Sequence, residues 1–167
     1  MQDKVLYIDY EKCTGCRECE LACSVFHTGV SNPAHSRIKI LSWEWEGIYL
    51  PLTCQNCENP FCVEVCPTKA CHVDPELCRV VIDKDKCIGC KTCIIACPFG
   101  APFFDYTSGV SVKCDYCDGD PQCVRVCREE AIRYIDASQI STIRQYVAAE
   151  RVLNVLPKPL PEDFLNS

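Results

Sequence analysis

The sequence lacks the features that mark membrane proteins, secreted proteins and nucleic-acid-binding proteins. No stretch approaches the run of about 18 apolar residues that spans a bilayer. The N-terminus, MQDKVLYIDYEKC, has no basic region followed by an apolar one, as a secretion signal would. Lysine and arginine total 17 against 23 acidic residues, which leaves a net charge of −6 and no basic stripe for nucleic acid. We therefore expect a cytoplasmic protein with no membrane span and no nucleic-acid partner.

Motifs that mark catalytic sites are also absent. The chain has no glycine-rich nucleotide fingerprint, no arrangement of nucleophile, histidine and acid, and no supported pair of carboxylates. The three histidines, His27, His35 and His72, are scattered along the chain, and we expect structural roles for them. The sequence therefore predicts that the chain is not itself an enzyme.

Cysteine, in contrast, is in large excess, with 18 of 167 residues. This share exceeds the level typical of scaffolds built on cysteine. Because disulfides are rare in a reducing cytoplasm, metal or redox chemistry is the better interpretation of so many thiols. The other apolar residues suffice for a modest core, so we expect part of the interior to be whatever the cysteines hold.

Sixteen of the cysteines fall into four quartets, which form an internal repeat. The first and third quartets have the spacing C-x2-C-x2-C-x3-C, the second C-x2-C-x4-C-x3-C and the fourth C-x2-C-x5-C-x3-C. The quartets are Cys13, Cys16, Cys19, Cys23; Cys54, Cys57, Cys62, Cys66; Cys87, Cys90, Cys93, Cys97; and Cys114, Cys117, Cys123, Cys127. Cys71 and Cys78 lie outside this pattern, and we expect them to be bystanders.

Proline follows only the second and third quartets, as Pro67 and Pro98. Ser24 and Arg128 stand at the corresponding positions after the first and fourth quartets. Because proline favours the start of a helical turn, we expect the turns after the first and fourth quartets to differ in detail from the other two. The segments PTKACHV after the second quartet and REEAIRYI after the fourth are both interpreted as one helical turn followed by a short strand.

The quartet spacing suits a [4Fe–4S] cluster. Three closely spaced cysteines can wrap a tight loop around one face of the cluster, and in the two-cluster pattern the fourth cysteine ligates the other cluster. Soft thiolates favour such clusters, and Gly15 and Gly89 permit unusual backbone angles between the first two ligands. Zinc sites usually join two C-x2-C pairs across a longer spacer, so a zinc-binding structural scaffold is the weaker alternative.

Four stretches carry a resemblance to a known family: CTGCRECELAC at 13–23, CQNCENPFCVEVCP at 54–67, CIGCKTCIIACPFGA at 87–101 and KCDYCDGDPQC at 113–123. They resemble the four-cluster, polyferredoxin-type electron-transfer subunits that accompany molybdenum and tungsten pterin enzymes, certain hydrogenases and formate dehydrogenases. The likeness covers about residues 4–136. In its compact size the chain is most similar to the small iron–sulfur subunits of tungsten aldehyde oxidoreductase-like enzymes, a group that includes some benzoyl-CoA reductase complexes.

The resemblance implies four [4Fe–4S] clusters and an exchange of the fourth ligand between quartets. The implied ligand sets are Cys13, Cys16, Cys19 with Cys127; Cys54, Cys57, Cys62 with Cys97; Cys87, Cys90, Cys93 with Cys66; and Cys114, Cys117, Cys123 with Cys23. The implied fold is α+β, with short strands and helices in two nested bacterial-ferredoxin-like units around the clusters. The outer unit would comprise residues 1–50 and 101–136, and the inner unit residues 51–100.

The C-terminal region 137–167 is predicted to be a helix followed by an extended tail. Residues 138–156 place Ile140, Ile143 and Val147 on one helical face. Three prolines at positions 157, 159 and 161 then favour an extended chain. We expect this region to dock on a partner subunit.

Two further patterns flank the quartets. Lys12, Lys86 and Lys113 each precede a first ligand, where they could offset cluster charge or simply be solvated. The alternation of aromatic residues from Trp43 to Tyr49 predicts a strand with one aromatic face.

The function implied by the resemblance is the conduction of single electrons, with catalysis on a partner. The expected partners are a catalytic subunit that carries a tungsten or molybdenum pterin, and a ferredoxin or flavin-containing subunit. A free-standing polyferredoxin is the alternative, and self-association into longer wires is left open.

Overall fold

The computed structural model describes residues 4–76 and 78–155. The predicted proline-rich tail lies outside these residues, as does the last residue of the predicted C-terminal helix. The described part of the chain is a mixture of short strands and short helices, which agrees with the predicted α+β class.

Eight strands form four separate antiparallel pairs within the described residues. The strands are β1 (Lys4–Ile8), β2 (Lys39–Trp43), β3 (Ile48–Leu52), β4 (Cys71–Asp74), β5 (Arg79–Ile82), β6 (Phe103–Asp105), β7 (Val110–Val112) and β8 (Ile132–Asp136). The pairs β2–β3, β4–β5 and β6–β7 are hairpins, and each connects one quartet to the next. The pair β1–β8 joins the two ends of the repeat region, with Lys4 opposite Asp136 and Ile8 opposite Ile132.

Each quartet carries a helix that begins one residue before its third cysteine. The helices are α1 (Glu18–Thr28), α2 (Phe61–Glu64), α3 (Thr92–Ile95) and α4 (Gln122–Arg125), followed by α5 (Gln139–Val155) after β8. The first helix has 11 residues, whereas the next three have four each. Strand, ligand loop, helix and strand therefore recur four times.

The turn that follows the fourth cysteine is the same in three quartets. The carbonyl oxygens of Cys66, Cys97 and Cys127 each accept a hydrogen bond at 3.2 Å from the amide three residues later. The turn and strand predicted after both the second and the fourth quartets are therefore present, with β4 and β8 as the strands. Arg128 occupies the proline position without changing the turn. The expected difference in detail is found after the first quartet, where α1 continues through Cys23 to Thr28.

Cysteine is a main component of the buried core. One cluster of buried residues comprises Cys19, Cys23, Ile38, Ile40, Cys123 and Ile132. A second comprises Cys54, Ala101, Cys114 and Tyr116. The interior is therefore formed around the thiols, as the composition predicted.

The aromatic segment is a hairpin and not the predicted single strand. Trp43 ends β2, and a 3-10 turn over Glu44–Glu46 leads into β3. Gly47, with a φ of 65°, closes this turn and thereby breaks the alternation. Trp45 is fully exposed at the tip of the hairpin.

The C-terminal helix α5 lies close to its predicted position. It contacts β8, and Arg151 forms an ion pair with Glu11 near the start of the chain. No helix among the described residues is long and apolar enough to cross a bilayer.

Candidate iron–sulfur sites

Three cavities are each lined by three cysteines of one quartet and the fourth cysteine of another. The largest, of about 220 Å³, is lined by group A, which comprises Cys13, Cys16, Cys19 and Cys127. Group B lines a second cavity and comprises Cys54, Cys57, Cys62 and Cys97. Group C lines a third and comprises Cys66, Cys87, Cys90 and Cys93.

The remaining four predicted ligands form group D, which comprises Cys23, Cys114, Cys117 and Cys123. All four are buried. Cys117 and Cys123 each interact electrostatically with both Cys114 and Cys23, so the four thiols are close neighbours. The structure thus places the cysteines of groups A, B and C around three cavities and the four cysteines of group D close to one another.

Left-handed backbone shapes the ligand loops. The residue before the second cysteine of each quartet has a positive φ: Gly15 (72°), Asn56 (44°), Gly89 (67°) and Tyr116 (60°). Its amide donates a hydrogen bond to the first thiol of the quartet in at least three cases, which are Gly15 to Cys13, Asn56 to Cys54 and Tyr116 to Cys114. Such loops turn consecutive amides toward a bound anionic group.

Glycine is required in two of these loops for space as well as for conformation. A Cβ on Gly15 would lie 2.4 Å from the ring of Tyr49, and a Cβ on Gly89 would lie 2.6 Å from the carbonyl oxygen of Gly109. Both glycines predicted to allow unusual φ angles therefore do so in crowded surroundings.

Further donors reach the sulfurs from outside the loops. The amides of Arg37 and Cys71 donate to Cys23 Sγ at 3.2 Å and Cys66 Sγ at 3.4 Å, and Thr92 Oγ1 donates to Cys90 Sγ at 3.3 Å. The buried hydroxyls of Thr53 and Ser111 have no well-formed hydrogen bond, but they lie against Cys114 and Cys93. Hydrogen bonds to sulfur of this kind are what tune iron–sulfur clusters.

Several buried thiols have pKa values too high for them to be free thiolates at neutral pH. Burial raises the pKa of Cys19 and Cys117 to about 12 and that of Cys114 to about 11. Thiols with such pKa values are protonated at neutral pH. Sets of four thiols are the donors that a soft metal centre prefers, and such a centre would displace these protons as it binds.

Cys71, expected to be a bystander, lies between two of the groups. Its thiol is buried and lies against Cys62 of group B, and this neighbour is the main reason that the pKa of Cys62 is lowered. Its amide donates to Cys66 of group C. Cys78 lies, half-buried, in the turn between β4 and β5.

A buried charged cluster beside group D has no counterpart among the sequence predictions. Asp115 forms an ion pair with Arg37 and lies 3.6 Å from His27, whose Nε2 is also 3.6 Å from Cys117 Sγ. Burial would raise the pKa of Asp115, but Arg37 and His27 hold it below its usual range. Burial and Arg37 lower the pKa of His27 to about 4, so its ring is neutral at pH 7.

The four groups are packed in a row in the order A, D, B, C. The first buried cluster contains Cys19 of group A with Cys23 and Cys123 of group D. The second contains Cys114 of group D with Cys54 of group B. Groups B and C are neighbours through Cys62 and Cys93, whose charges interact.

Comparison with known families identifies the class of protein. Residues 45–137 match the model of the 4Fe-4S dicluster domain, and residues 6–25 match that of the 4Fe-4S binding domain. The first match spans more than half of the chain. The chain therefore belongs to the 4Fe-4S dicluster family and has ferredoxin-like domains.

Similar proteins narrow the comparison. The chain is 36% identical over 98% of its length to the polyferredoxin-like subunit of an aliphatic sulfonate oxidoreductase from Pyrococcus furiosus, of which 98% is covered. It is also 36% identical to the B subunit of the anaerobic dimethyl sulfoxide reductase of Escherichia coli, with 83% of this protein and 75% of that subunit covered. The BamBC active-site complex of benzoyl coenzyme A reductase contains a polypeptide with 25% identity, a TM-score of 0.48 and coverages of 98% and 97%. The family matches and the two oxidoreductase subunits confirm the resemblance to iron–sulfur electron-transfer subunits of oxidoreductases, in which catalysis is on partner subunits.

Proposed function

We propose that this chain is an electron-transfer subunit with four [4Fe–4S] clusters, one at each of groups A to D. The observation that carries the proposal is the arrangement of sixteen thiols in four groups of four, packed in a single row. A [4Fe–4S] cluster takes up and releases one electron at a time. The protein supplies four sulfur ligands to each site, surrounds them with hydrogen-bond donors, and spaces the sites closely enough to form one path.

We further propose that the fourth cysteine of each quartet ligates the cluster of another quartet, as the group memberships suggest. In this arrangement an inner unit, residues 51–100, holds groups B and C. An outer unit, residues 1–50 and 101–136, holds groups A and D. The pairing of β1 with β8 supports the outer unit, because these strands flank the first and fourth quartets.

The ends of the row are the natural points of electron exchange. Cys16 in group A and Cys90 in group C are exposed, whereas group D is buried throughout. We propose that one end faces a catalytic subunit with a tungsten or molybdenum pterin and that the other faces a ferredoxin or flavin-containing subunit. The oxidoreductase relatives support a catalytic partner. Docking by residues 137–167 and a cytoplasmic location remain predictions.

Anaerobic co-purification from the native host tests the proposed role. We expect the chain to be brown and to elute with a larger subunit that contains tungsten or molybdenum. A brown chain that elutes alone would favour the free-standing polyferredoxin. A colourless chain with bound zinc would contradict electron transfer and favour the structural scaffold.

Double substitutions test the exchange of ligands between quartets. If Cys57 and Cys97 serve one cluster, Cys57→Ala with Cys97→Ala should lose about 4 of about 16 iron atoms, no more than either single variant. The matched control combines Cys57→Ala with Cys66→Ala, which belong to the same quartet but to different groups, and it should lose about 8. The reverse result, with the larger loss in the Cys57 and Cys97 pair, would contradict the exchange.

A further inference from the structure

Lys113 is a buried cation without an acidic partner in the described part of the chain. It follows β7 directly, and only 3% of the residue is exposed. Its Nζ donates to Asn56 Oδ1 at 3.1 Å, to the Cys114 carbonyl at 3.0 Å and to the Val80 carbonyl. All three acceptors are neutral, and no carboxylate of residues 4–76 or 78–155 forms an ion pair with it.

An isolated buried charge is costly, so buried charges in proteins are paired or lie beside a metal site. Two other cations that are largely buried follow this rule. Arg79 pairs with Asp74 at 3.1 Å and with Asp118 at 2.7 Å, and Arg37 pairs with Asp115. Lys113 is the exception among these three, so its negative counterpart must be something other than a carboxylate of the described residues.

The surroundings of Lys113 indicate where that negative charge belongs. Lys113 lines the group B cavity together with Cys54 and Cys62. Its Nζ also donates to the carbonyl of Cys114, a member of group D, at 3.0 Å. The ammonium therefore lies against both central groups, B and D.

We propose that Lys113 is the internal counter-charge of the clusters at groups B and D and that it raises their reduction potentials. This inference rests on the proposed function. A [4Fe–4S] cluster with four thiolates carries a net charge of about −2 when oxidised, and a single electron from the carrier makes it more negative. A fixed cation nearby stabilises the reduced form more than the oxidised one. No proton needs to accompany the electron.

The structure provides a matched comparison, because Lys86 has the same place in the sequence, directly before the first cysteine of a quartet. Its side chain is 63% exposed and pairs with Asp83 at 2.9 Å. Its charge is therefore already compensated and is screened by water. Lys12, before the first quartet, is exposed as well. Of the three lysines that precede a first ligand, Lys113 alone is an uncompensated internal charge in the described structure.

The test is a redox titration, followed by electron paramagnetic resonance, of the full chain purified anaerobically. We expect Lys113→Met to lower two of the four potentials, so that the ratio of reduced to oxidised cluster at a fixed potential falls about tenfold, or about 59 mV for one electron. Lys113→Arg keeps the positive charge, so the two potentials should stay close to their wild-type values. Lys86→Met should leave all four potentials within a small fraction of that shift.

Iron and sulfide contents, measured on the same samples, distinguish a failure of the proposed function from a failure of the role of Lys113. A wild-type chain without iron–sulfur clusters would contradict the proposed function itself. A fully loaded Lys113→Met chain with wild-type potentials, or an equal shift in Lys86→Met, would overturn the role of Lys113 alone. If Lys113→Met does not retain its iron, Lys113→Gln, which can still donate hydrogen bonds to the same carbonyls, gives the decisive titration.

Discussion

Groups C and D each contain four cysteine thiols, but the two sets of thiols lie in different surroundings. In group D all four cysteines are buried, whereas in group C Cys90 is exposed and only Cys93 is buried. The charged residues differ in the same way, because the Arg37–Asp115 pair beside group D is largely buried and the Lys86–Asp83 pair beside group C is at the surface. Thus a similar ligand loop is either enclosed by the protein or open to solvent, depending on what the rest of the chain packs against it.

The length of the helix at the first quartet explains much of this difference. The helix α1 continues past Cys23 for five more residues, and Ser24 and Glu20 on it are buried. The Glu20 carboxylate accepts a hydrogen bond from the amide of Ile40 at 2.8 Å, which ties β2 to this helix. The short helix α3 in the third quartet provides no comparable cover.

The largest effect should come from loss of a ligand in the buried group. We expect Cys123→Ala to lose the group D cluster and to lower the melting temperature by about 10 °C or more, because the cluster fills the interior there. Cys90→Ala should also lose one cluster, but its melting temperature should fall much less. Thermal unfolding followed by circular dichroism, with iron analysis of both variants, makes the comparison. Equal losses of stability would contradict the distinction between the groups.

The buried ion pair gives the next largest effect. Arg37→Met leaves Asp115 buried without its main partner, and we expect it to cost about 3 kcal/mol of unfolding free energy at pH 7. The exposed Arg125–Asp120 pair is the control, and Arg125→Met should cost less than about 1 kcal/mol. Denaturant unfolding under anaerobic conditions measures both. A similar loss of unfolding free energy in the two variants would show that the burial of the Arg37–Asp115 pair does not increase its contribution to stability.

The pH dependence of the Arg37→Met variant has a defined sign. In the native chain the pKa of Asp115 is lowered, so its contribution to stability is present above the usual carboxyl pKa and is lost as the pH falls through the lowered value. Without Arg37, burial should raise this pKa and so favour the protonated acid. The stability gap between wild type and variant should therefore narrow from pH 8 to pH 5. A constant gap would contradict this explanation.

A smaller difference in stability is expected between alanine variants of the two glycine loops, at Gly15 and Gly89. An alanine at position 89 would clash with the backbone oxygen of Gly109, whereas one at position 15 would clash with the side chain of Tyr49, which can move. Both substitutions also impose a positive φ on alanine, which costs about 1 kcal/mol or more. Gly89→Ala should therefore destabilise the chain more than Gly15→Ala in thermal unfolding. The opposite order would indicate that the Tyr49 ring is held rigidly.

The repeat itself could be predicted from the sequence because its signals are local. The cysteine spacing indicated the ligand loops, and the apolar periodicity placed the C-terminal helix within one residue of Gln139–Val155. The turn and strand after the fourth quartet were predicted although Arg128 replaces proline there, and a hydrogen bond from the amide of Glu130 to the Cys127 carbonyl forms this turn. The hairpin at Trp45 was missed because the alternation of aromatic residues continues through a turn closed by Gly47.

The charged surroundings of the groups could not be predicted, because they form between distant parts of the chain. Arg37 and Asp115 are 78 positions apart, and Lys113 and Asn56 are 57 apart. The one local signal at Lys113 is the lack of an acidic neighbour: Lys12 and Lys86 follow Glu11 and Asp85, whereas Lys113 follows Val112. Only the packing of β5 and β7 against the second ligand loop makes Lys113 an internal charge.

The most direct test of the central claim is the iron and sulfide content of the full chain, purified and handled without oxygen. Four groups of four thiols predict about 16 iron atoms and about 16 sulfides per chain. A content of about 8 of each in a fully folded chain, or zinc in place of iron, would contradict the assignment of a cluster to every group.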